Sequence, residues 1–384
     1  MFLTIIIFVL VLSVLVFAHE FGHFWSARRF GIRAEEFGFG FPPRAFGFYR
    51  NQAGQWKKVL GNIAVDELDA SPDKSIRPAS TVYSLNVLPL GGFVKIKGEN
   101  GEGQVASDSF ASKKIWQRVI VLAAGVVMNV ILAWLLFSGG YLIGLPQSTD
   151  SLGSNAELRG AQVIIAQVIP GSVAEQAGLK EGDIVLRINN IETKTEKELQ
   201  DTVAASANQE AEFLVKRGDQ EIIIKATPKV KEGSRATVGI AIFSSGLVRY
   251  PFLPAFWEGA KTTVFVVQEI FTSFGALFKS LFQGQAVGDQ FAGPVGIANI
   301  TGQAARLGFA YLLQFTALLS LNLAVLNILP FPALDGGRIL FLLVEKLKGK
   351  PVRQELENLI HNIGFALLIA LVIFITYKDI VKLF

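Results

Sequence analysis

Long apolar runs alternate with polar segments along the chain, and some of these runs are long enough to form membrane-spanning helices. At 1.5 Å per residue, about 20 helical residues cross the roughly 30 Å of a bilayer's hydrocarbon core. The runs of this length are residues 1–27, 115–144, 309–330 and 361–383. The third run continues in less apolar form to residue 345. The pattern predicts an α-helical polytopic membrane protein with about four transmembrane helices.

Residues 251–285 form a further hydrophobic run, but charged residues interrupt it. Glu258, Lys261, Glu269 and Lys279 recur at helical intervals. A helix with one apolar and one charged face suits the plane of the membrane surface better than the bilayer interior. The run therefore predicts an amphipathic surface helix.

The segment between the first two spans, residues 28–114, shows the period-two pattern of β-strands. Phe37, Phe39 and Phe41 fall on one face, and the stretch TVYSLNVLPLGGFVKIKGE has apolar runs around a Pro-Leu-Gly-Gly turn. Because this segment adjoins two spans, we expect membrane-associated β-hairpins, with a small cytosolic sheet as the alternative. Within it, residues 49–80 are polar with little periodicity and predict an exposed insertion.

Residues 160–228 alternate short strands and helices and predict an inserted globular α+β domain. Their landmarks at Ala177–Leu179, Gly182–Asp183 and Ile188–Asn189 resemble those of a PDZ domain. PDZ domains bind extended peptides at a sheet edge and often capture a chain terminus. The resemblance implies that peptide termini bind here, while a purely structural spacer is the alternative.

Composition and charge favour a membrane protein over a soluble one. Of the 384 residues, 51% are hydrophobic and 18% are charged, and the mean hydropathy is +0.43. The net charge of +4 does not indicate nucleic acid, because the basic residues gather beside the spans and suit contact with lipid. Basic clusters follow span one, precede span two and separate spans three and four. The positive-inside rule then predicts cytoplasmic placement for these clusters and an extracytoplasmic side for both termini and residues 145–308.

The end of the first apolar run contains a polar cluster, FAHEFGHFW. His19 and His23 are four residues apart, so a helix places both imidazoles on one face, and Glu20 lies one step around it. This HExxH spacing suits two ligands to a zinc ion and a general base. Cysteine is absent, so any transition-metal site must use histidine and carboxylate. Residues 1–27 lack the basic start of a cleaved signal peptide, which is the alternative for this segment.

A zinc catalyst needs a third protein ligand and an open position for water. Asp335 is the candidate, because Pro330 and Pro332 break the third span just before it, and its depth in the cytoplasmic half of the bilayer matches that of the HExxH cluster. His361, at the start of the last span, is interpreted as an interfacial residue rather than a ligand.

Four motifs together resemble the site-2 protease family of intramembrane zinc metalloproteases, and specifically its bacterial regulator of sigma-E protease branch. They are HEFGHFWSARR, PLGGFVKIKGE, GPVGI and NILPFPALDGG, in that order. The resemblance implies one Zn²⁺ per chain, held by His19, His23 and Asp335, with Glu20 as the general base. It covers nearly the whole chain.

The resemblance also implies that Asn327 and Asn129 on the spans support the substrate or the transition state, with an interhelical hydrogen bond as the alternative for Asn327. A helical substrate must unwind before it is cut, so the strand segment Gly91, Gly92, Phe93 and Val94 is the predicted edge that holds it extended. The chain departs from the family at residues 125–129, which read Gly-Val-Val-Met-Asn without the usual proline after the glycine, and it contains one PDZ-like domain where the best-known branch has two.

The expected function is hydrolysis of peptide bonds within or near transmembrane segments of single-pass membrane proteins that have already been shortened, such as anti-sigma factors or remnant signal peptides. The resemblance implies a multi-pass protein of the bacterial inner membrane. A non-catalytic PDZ scaffold is the alternative function, and a transporter is disfavoured because paired inverted repeats are absent from the sequence.

Overall fold

The structure is a computed structural model that describes residues 2–61, 63–99, 106–148, 157–218, 220–230, 236–284 and 292–381. The predicted segments also include residues outside these ranges, which are 1, 62, 100–105, 219, 285, 382 and 383. In chain order the elements are α1 (Phe2–Arg29), β1 (Ala34–Arg50), β2 (Trp56–Leu60), α2 (Val65–Ala70), β3 (Val82–Ile96), α3 (Ile115–Ile143), β4 (Leu145–Ser148), β5 (Glu157–Val168), α4 (Val173–Ala177), β6 (Ile184–Ile188), β7 (Ile191–Glu192), α5 (Glu196–Ala205), β8 (Ala211–Arg217), β9 (Gln220–Ala226), β10 (Ile240–Arg249), α6 (Phe252–Phe282), α7 (Pro294–Leu307), α8 (Phe309–Ile328), α9 (Asp335–Lys348) and α10 (Gln354–Val381).

Within the ranges that the structure describes, four helices are long and apolar enough to cross a membrane, namely α1, α3, α8 and α10. This confirms the polytopic membrane class. Residues 309–345 form two helices, because α8 ends at Ile328 and α9 begins at Asp335. The predicted surface segment 251–285 forms the helix α6, and its position at the membrane surface stays a prediction.

The chain divides into two compact units, residues 1–137 with 259–384, and residues 138–258. In the first unit, β1 lies between the two halves of β3, so that Phe37 pairs with both Tyr83 and Val94. The second half of β3 is an edge of this sheet among the described residues. Gly91 and Gly92 let that edge approach α1 closely, since a Cβ atom on Gly92 would lie 2.9 Å from the Phe17 Cα atom.

Most described residues of the polar segment 49–80 are exposed, but the segment has secondary structure that its composition did not predict. Residues 56–60 pair with β1 as the strand β2, and residues 65–70 form α2. Apolar side chains from the segment pack into a small buried cluster made of Tyr49, Val59, Val65, Leu68 and Val82. The few apolar residues among the polar ones are therefore the ones that fold the segment onto the sheet.

The sequence did not predict α7, which follows the GPVGI motif. Pro294 is the first residue of this helix, and the carboxylate of Asp379 in α10 accepts a hydrogen bond from the Gly296 backbone at 2.7 Å. A Cβ atom on Gly293 would lie 2.8 Å from the same carboxylate oxygen. The glycines of the motif thus make room for a side chain that caps α7 from another helix.

The second unit contains a sheet in the order β4-β10-β5-β6-β8-β9, with β7 paired to β6. The sheet extends beyond the predicted bounds of 160–228, because β5 begins at Glu157 and the later strand β10 pairs with both β5 and β4. The chain enters and leaves this sheet at nearby points, since the backbone N–H of Tyr250, just after β10, donates a hydrogen bond to the carbonyl of Tyr141, just before β4, at 3.0 Å.

A buried ion pair joins the Gly-Asp landmark of the second unit to the strand β8. Asp183 is fully buried, and Arg217 donates to its two carboxylate oxygens at 2.7 and 2.8 Å. Burial acts to raise the pKa of Asp183, but the hydrogen bonds from Arg217 and from the Lys180 backbone hold it below its ordinary value. Asp183 therefore has a structural role here.

Candidate metal centre

Two helices that are far apart in sequence bring His19, His23 and Asp335 together. The histidine Nε2 atoms lie 3.2 Å apart, and Asp335 Oδ2 lies 3.1 Å from that of His19 and 3.5 Å from that of His23. One potential ligand atom from each residue lies within 4.8 Å of the other two. This convergence places three zinc-type ligands around one point.

The orientation of His23 is fixed by its other ring nitrogen. Nδ1 lies 2.8 Å from the Val121 carbonyl oxygen of α3, so Nδ1 carries the proton and donates it, which leaves the Nε2 lone pair free for a metal. Metal-binding histidines commonly make such a bond, because it sets the ring orientation and the tautomer.

The remaining donor atoms fit a bound cation. Asp335 Oδ2 is buried and has no hydrogen bond of acceptable geometry among the described residues, although two imidazole nitrogens lie near it. A buried carboxylate oxygen without a partner is unfavourable, and a metal ion would satisfy it. The donor set of two imidazoles and one carboxylate is also one that catalytic zinc uses.

Gly125 in α3 provides the space for the two imidazoles. A Cβ atom at this position would lie 2.7 Å from His19 Cε1 and 2.8 Å from His19 Nδ1, and it would also overlap His23 Nε2. Gly22 provides a similar close approach in α1, where a Cβ atom would lie 2.7 Å from the Ala124 carbonyl carbon. In the sequence, Gly125 is noticeable only as the first residue of the 125–129 motif that lacks its usual proline, and that motif indicates no role for it.

The residues lining the site enclose a cavity of about 310 Å³. Glu20 lines this cavity together with the three candidate ligands. The edge segment of β3 forms another wall, through Phe93, Val94, Lys95 and Ile96. Two ion pairs also line the cavity, one between Glu35 and Lys95 and one between Glu99 and Arg338. The cavity is thus polar, and a β-strand edge borders it.

Other residues predicted for the site are absent from the residues that line the cavity. They are Asn327, Asn129, Gly91 and Gly92. Gly92 instead packs against Glu20, since a Cβ atom on Gly92 would lie 3.2 Å from the Glu20 Cβ atom. Asn129 is fully buried, and its side-chain amide makes no hydrogen bond among the described residues.

Two glycines in the first turn of α9 allow this helix to pack closely against the end of α8 and the turn that follows it. Any side chain on Gly336 would overlap the carbonyl oxygens of Ile328 and Leu329, and one on Gly337 would overlap that of Phe331. The two glycines therefore let the first turn of α9 pack against the preceding turn of chain, and Asp335 is the first residue of that helix.

The family model for peptidase family M50 matches residues 7–60 and 74–371. The chain belongs to peptidase family M50. It is 31% identical to the regulator of sigma-W protease RasP of Bacillus subtilis, with 99% of each chain covered. It is also 30% identical to the zinc metalloprotease RasP of Geobacillus kaustophilus, over 99% of this chain and 98% of that one. A putative zinc metalloprotease of Clostridium perfringens is 34% identical, with 98% of each chain covered.

Membership of family M50 confirms the predicted family and activity. The chain is a membrane-embedded zinc metalloendopeptidase of the site-2 protease type, which acts in regulated intramembrane proteolysis. The scaffold alternative is therefore wrong. A solved PDZ domain of an SdrC-like protein from Listeria monocytogenes aligns with 24% of this chain and 92% of that domain, at 16% identity and a TM-score of 0.20. The PDZ assignment of the second unit stays a prediction.

Proposed function

We propose that His19, His23 and Asp335 hold the zinc ion and that Glu20 is the general base for peptide-bond hydrolysis inside the membrane. The observation that carries the proposal is the convergence of three ligand atoms within 4.8 Å, with Glu20 lining the same cavity. The substrates are single-pass membrane proteins that have already been shortened outside the membrane, such as anti-sigma factors or remnant signal peptides.

The chain's own residues divide the chemistry between them. When bound, zinc supplies Lewis acidity that lowers the pKa of water and polarises a carbonyl group. Glu20 accepts the proton of the attacking water and returns it to the nitrogen of the departing chain as the peptide bond breaks. His19, His23 and Asp335 would hold the zinc ion and keep its position relative to Glu20 constant during the reaction.

The edge of β3 is the proposed holding site for the substrate. A transmembrane helix hides its carbonyl groups in hydrogen bonds, so the scissile segment must be extended before it can react. The Lys97 backbone donates to the Arg33 carbonyl at 3.0 Å and therefore faces β1. Because backbone groups alternate along an antiparallel strand, those of Val94 and Ile96 face the open edge and can pair with an added strand.

Replacing Val94 with proline is expected to lower the rate of cleavage by about tenfold, because one hydrogen bond to the extended substrate is lost and the proline ring obstructs the edge. The backbone N–H of Val94 that proline removes faces away from β1, so the sheet should stay folded and the protein should keep its zinc. Cleavage of a shortened single-pass reporter and zinc content would be measured on purified protein. Val94→Thr, which keeps both the size and the backbone N–H, is the matched control; equal rates for the two variants would rule out this role of the edge.

Asn129 and Asn327 remain proposed supports for the substrate or the transition state. Asn129 lies four residues after Gly125, which places both on one face of α3, and its amide has no hydrogen-bond partner among the described residues. A buried amide without a partner calls for an explanation, and a substrate carbonyl would supply one. Asn327 is half-buried one residue before the end of α8.

The second unit is the proposed peptide-binding and filtering module. Between α5 and β10 lies a groove of about 360 Å³, lined by Leu199, Gln200, Val203, Ala236, Thr237, Val238, Ile240 and Ile242. Residues 240–243 of β10 pair with a strand, β5, on one side only among the described residues, since β4 reaches only Ser245–Val248 and Glu196 binds the Ser244 backbone N–H. An extended peptide terminus can add to this free edge beside an apolar wall, in the manner of PDZ recognition.

Removal of the second unit is expected to let the protease cut single-pass substrates whose outer domains are intact. Deleting 160–228 would remove most of β5 and leave the first half of β10 without its partner strand, so the deletion should instead run from Leu145 to Arg249. A short glycine-serine linker can close the gap, because the Tyr141 carbonyl and the Tyr250 backbone N–H are hydrogen-bonded.

Cleavage of matched reporters with a trimmed and an intact outer domain measures this effect. Wild type should cut only the trimmed reporter, and the deletion variant should cut both at comparable rates. The same deletion combined with Glu20→Gln controls for contaminating proteases. Continued resistance of the intact reporter to an active deletion variant would refute the filter.

The proposed location is the inner membrane of a bacterium, with the second unit and both termini outside and the metal centre in the cytoplasmic half of the bilayer. Basic residues at the end of α1 and of α9 support this orientation. The tip of the first unit's sheet exposes apolar side chains, including Phe41, Val87 and Leu88, and Ser13 inside the first span donates a hydrogen bond to the Pro89 carbonyl. These features support a sheet that enters the membrane.

A further inference from the structure

The turn between α8 and α9 determines where the Asp335 carboxylate points, because Asp335 is the first residue of α9. Ala333, two residues earlier, has a φ of +75°, in the left-handed region that residues with a side chain seldom adopt. Ala333 also lines the metal-site cavity. A strained conformation of this kind persists only when the surrounding structure holds it.

A histidine in the last helix supplies one such restraint. The Ala333 backbone N–H donates a hydrogen bond to His361 Nδ1 at 2.8 Å. Because Nδ1 accepts this bond, the proton of the neutral ring is on Nε2. The ring also packs against Phe341 of α9, with the ring centres 5.4 Å apart. His361 thus contacts both the turn and the helix that Asp335 begins.

Gly364 supplies a second restraint one helical turn further along α10. A Cβ atom at this position would lie 2.5 Å from Pro332 Cβ and 2.7 Å from the Pro332 carbonyl oxygen. Helix α10 therefore rests directly on the turn at Gly364 while His361 binds the next residue of the turn. The two contacts hold Pro332 and Ala333 from one side.

We infer that His361 is a positioning residue that, through the backbone of Ala333, fixes the Asp335 carboxylate toward His19 and His23. His361 is not among the residues that line the metal-site cavity, so it acts without touching the substrate. The inference rests on the proposed ligand set, and it changes the interpretation of His361 from an interfacial residue to a support of the metal site.

Zinc affinity measured by chelator competition tests this role without a cleavage assay. All variants carry Glu20→Gln and are purified in one detergent. His361→Ala should bind zinc about tenfold more weakly, the lower end of what lost support of a ligand usually costs. His361→Asn should stay within about twofold of the parent, because its amide oxygen takes the place of Nδ1 as an acceptor. His361→Gln, whose acceptor lies one bond further out, should behave like His361→Ala.

A second-site change distinguishes positioning from general destabilisation. Glycine adopts positive φ without strain, so Ala333→Gly should recover most of the affinity that His361→Ala loses, while having little effect alone. Gly364→Ala should weaken zinc binding as His361→Ala does, because it displaces the same turn. Thermal unfolding of each variant records whether the fold persists.

Several results would overturn the inference. They are unchanged zinc affinity in His361→Ala, an equal loss in His361→Asn, and no recovery in the double variant with Ala333→Gly. Asp335→Ala serves as the reference that tests the ligand set separately. If Asp335→Ala keeps its zinc, the proposed ligands are wrong; if it loses zinc while His361→Ala does not, only the role of His361 fails.

Discussion

Glu20→Gln is expected to abolish cleavage of a shortened single-pass reporter, with a fall of about a thousandfold, while the purified protein keeps its zinc. A positioned general base contributes about 10² to 10⁴ in rate, and glutamine has the same shape but cannot take a proton from water. Glu20 lines the cavity with the three candidate ligands but is not one of them. The loss should therefore appear in the rate and not in the metal content.

Cleavage rate and zinc content would be recorded on the same preparations in the same detergent. Glu20→Asp is the informative companion, because it keeps a carboxylate that is one methylene shorter, and an intermediate rate is expected. Wild-type cleavage by Glu20→Gln would mean that another group accepts the proton. Loss of zinc from Glu20→Gln would mean that this residue is a ligand.

Gly125→Ala is expected to weaken zinc binding by about a hundredfold and to reduce cleavage with it, the upper end of losses caused by disturbing a metal ligand's surroundings. The added methyl group would overlap His23 Nε2 and lie 2.7 Å from His19 Cε1. Both imidazoles must then leave the positions in which their Nε2 atoms lie near the Asp335 carboxylate. Alanine favours helix over glycine by about 1 kcal/mol, so a weaker helix cannot explain the loss.

Gly139→Ala is the matched control, because it makes the same change in the same helix at a position where a Cβ atom meets nothing within 4 Å. That variant should keep zinc and activity. The measurement is the zinc affinity of each purified variant, followed by the cleavage rate at saturating zinc. Equal zinc affinity in the two variants would show that α3 can shift without disturbing the histidines, and the role assigned to Gly125 would be wrong.

The sequence predicted those residues of the site that local sequence patterns identify. His19 and His23 are one helical turn apart, and Asp335 follows two prolines that end a helix, so the pattern alone indicated their convergence. The supporting residues could not be found in this way. Gly125 and His361 act across helices, and nothing in their own neighbourhoods shows which side chain or backbone group lies opposite them.

The same limit explains the differences in the fold. Residues 49–80 are mostly exposed, yet three apolar positions that the polar pattern did not single out, Val59, Val65 and Leu68, bury against Tyr49 and Val82. Helix α7 lacks a long apolar run, and its first turn depends on Asp379, which is 83 residues further along. Long-range partners such as these decide the structure where the local pattern is weak.

The bond between Asp379 and Gly296 also has a meaning for the order in which the protein is made. Synthesis runs from the N-terminus, so the first turn of α7 leaves the ribosome long before its capping carboxylate. In the interval α8, α9 and α10 must be produced, and with them Asp335 and His361. The capping bond at the GPVGI motif can therefore form only after Asp335, the last candidate metal ligand, has been synthesised. Helix α7 thus reaches its final packing only in a chain that already contains all the candidate catalytic residues.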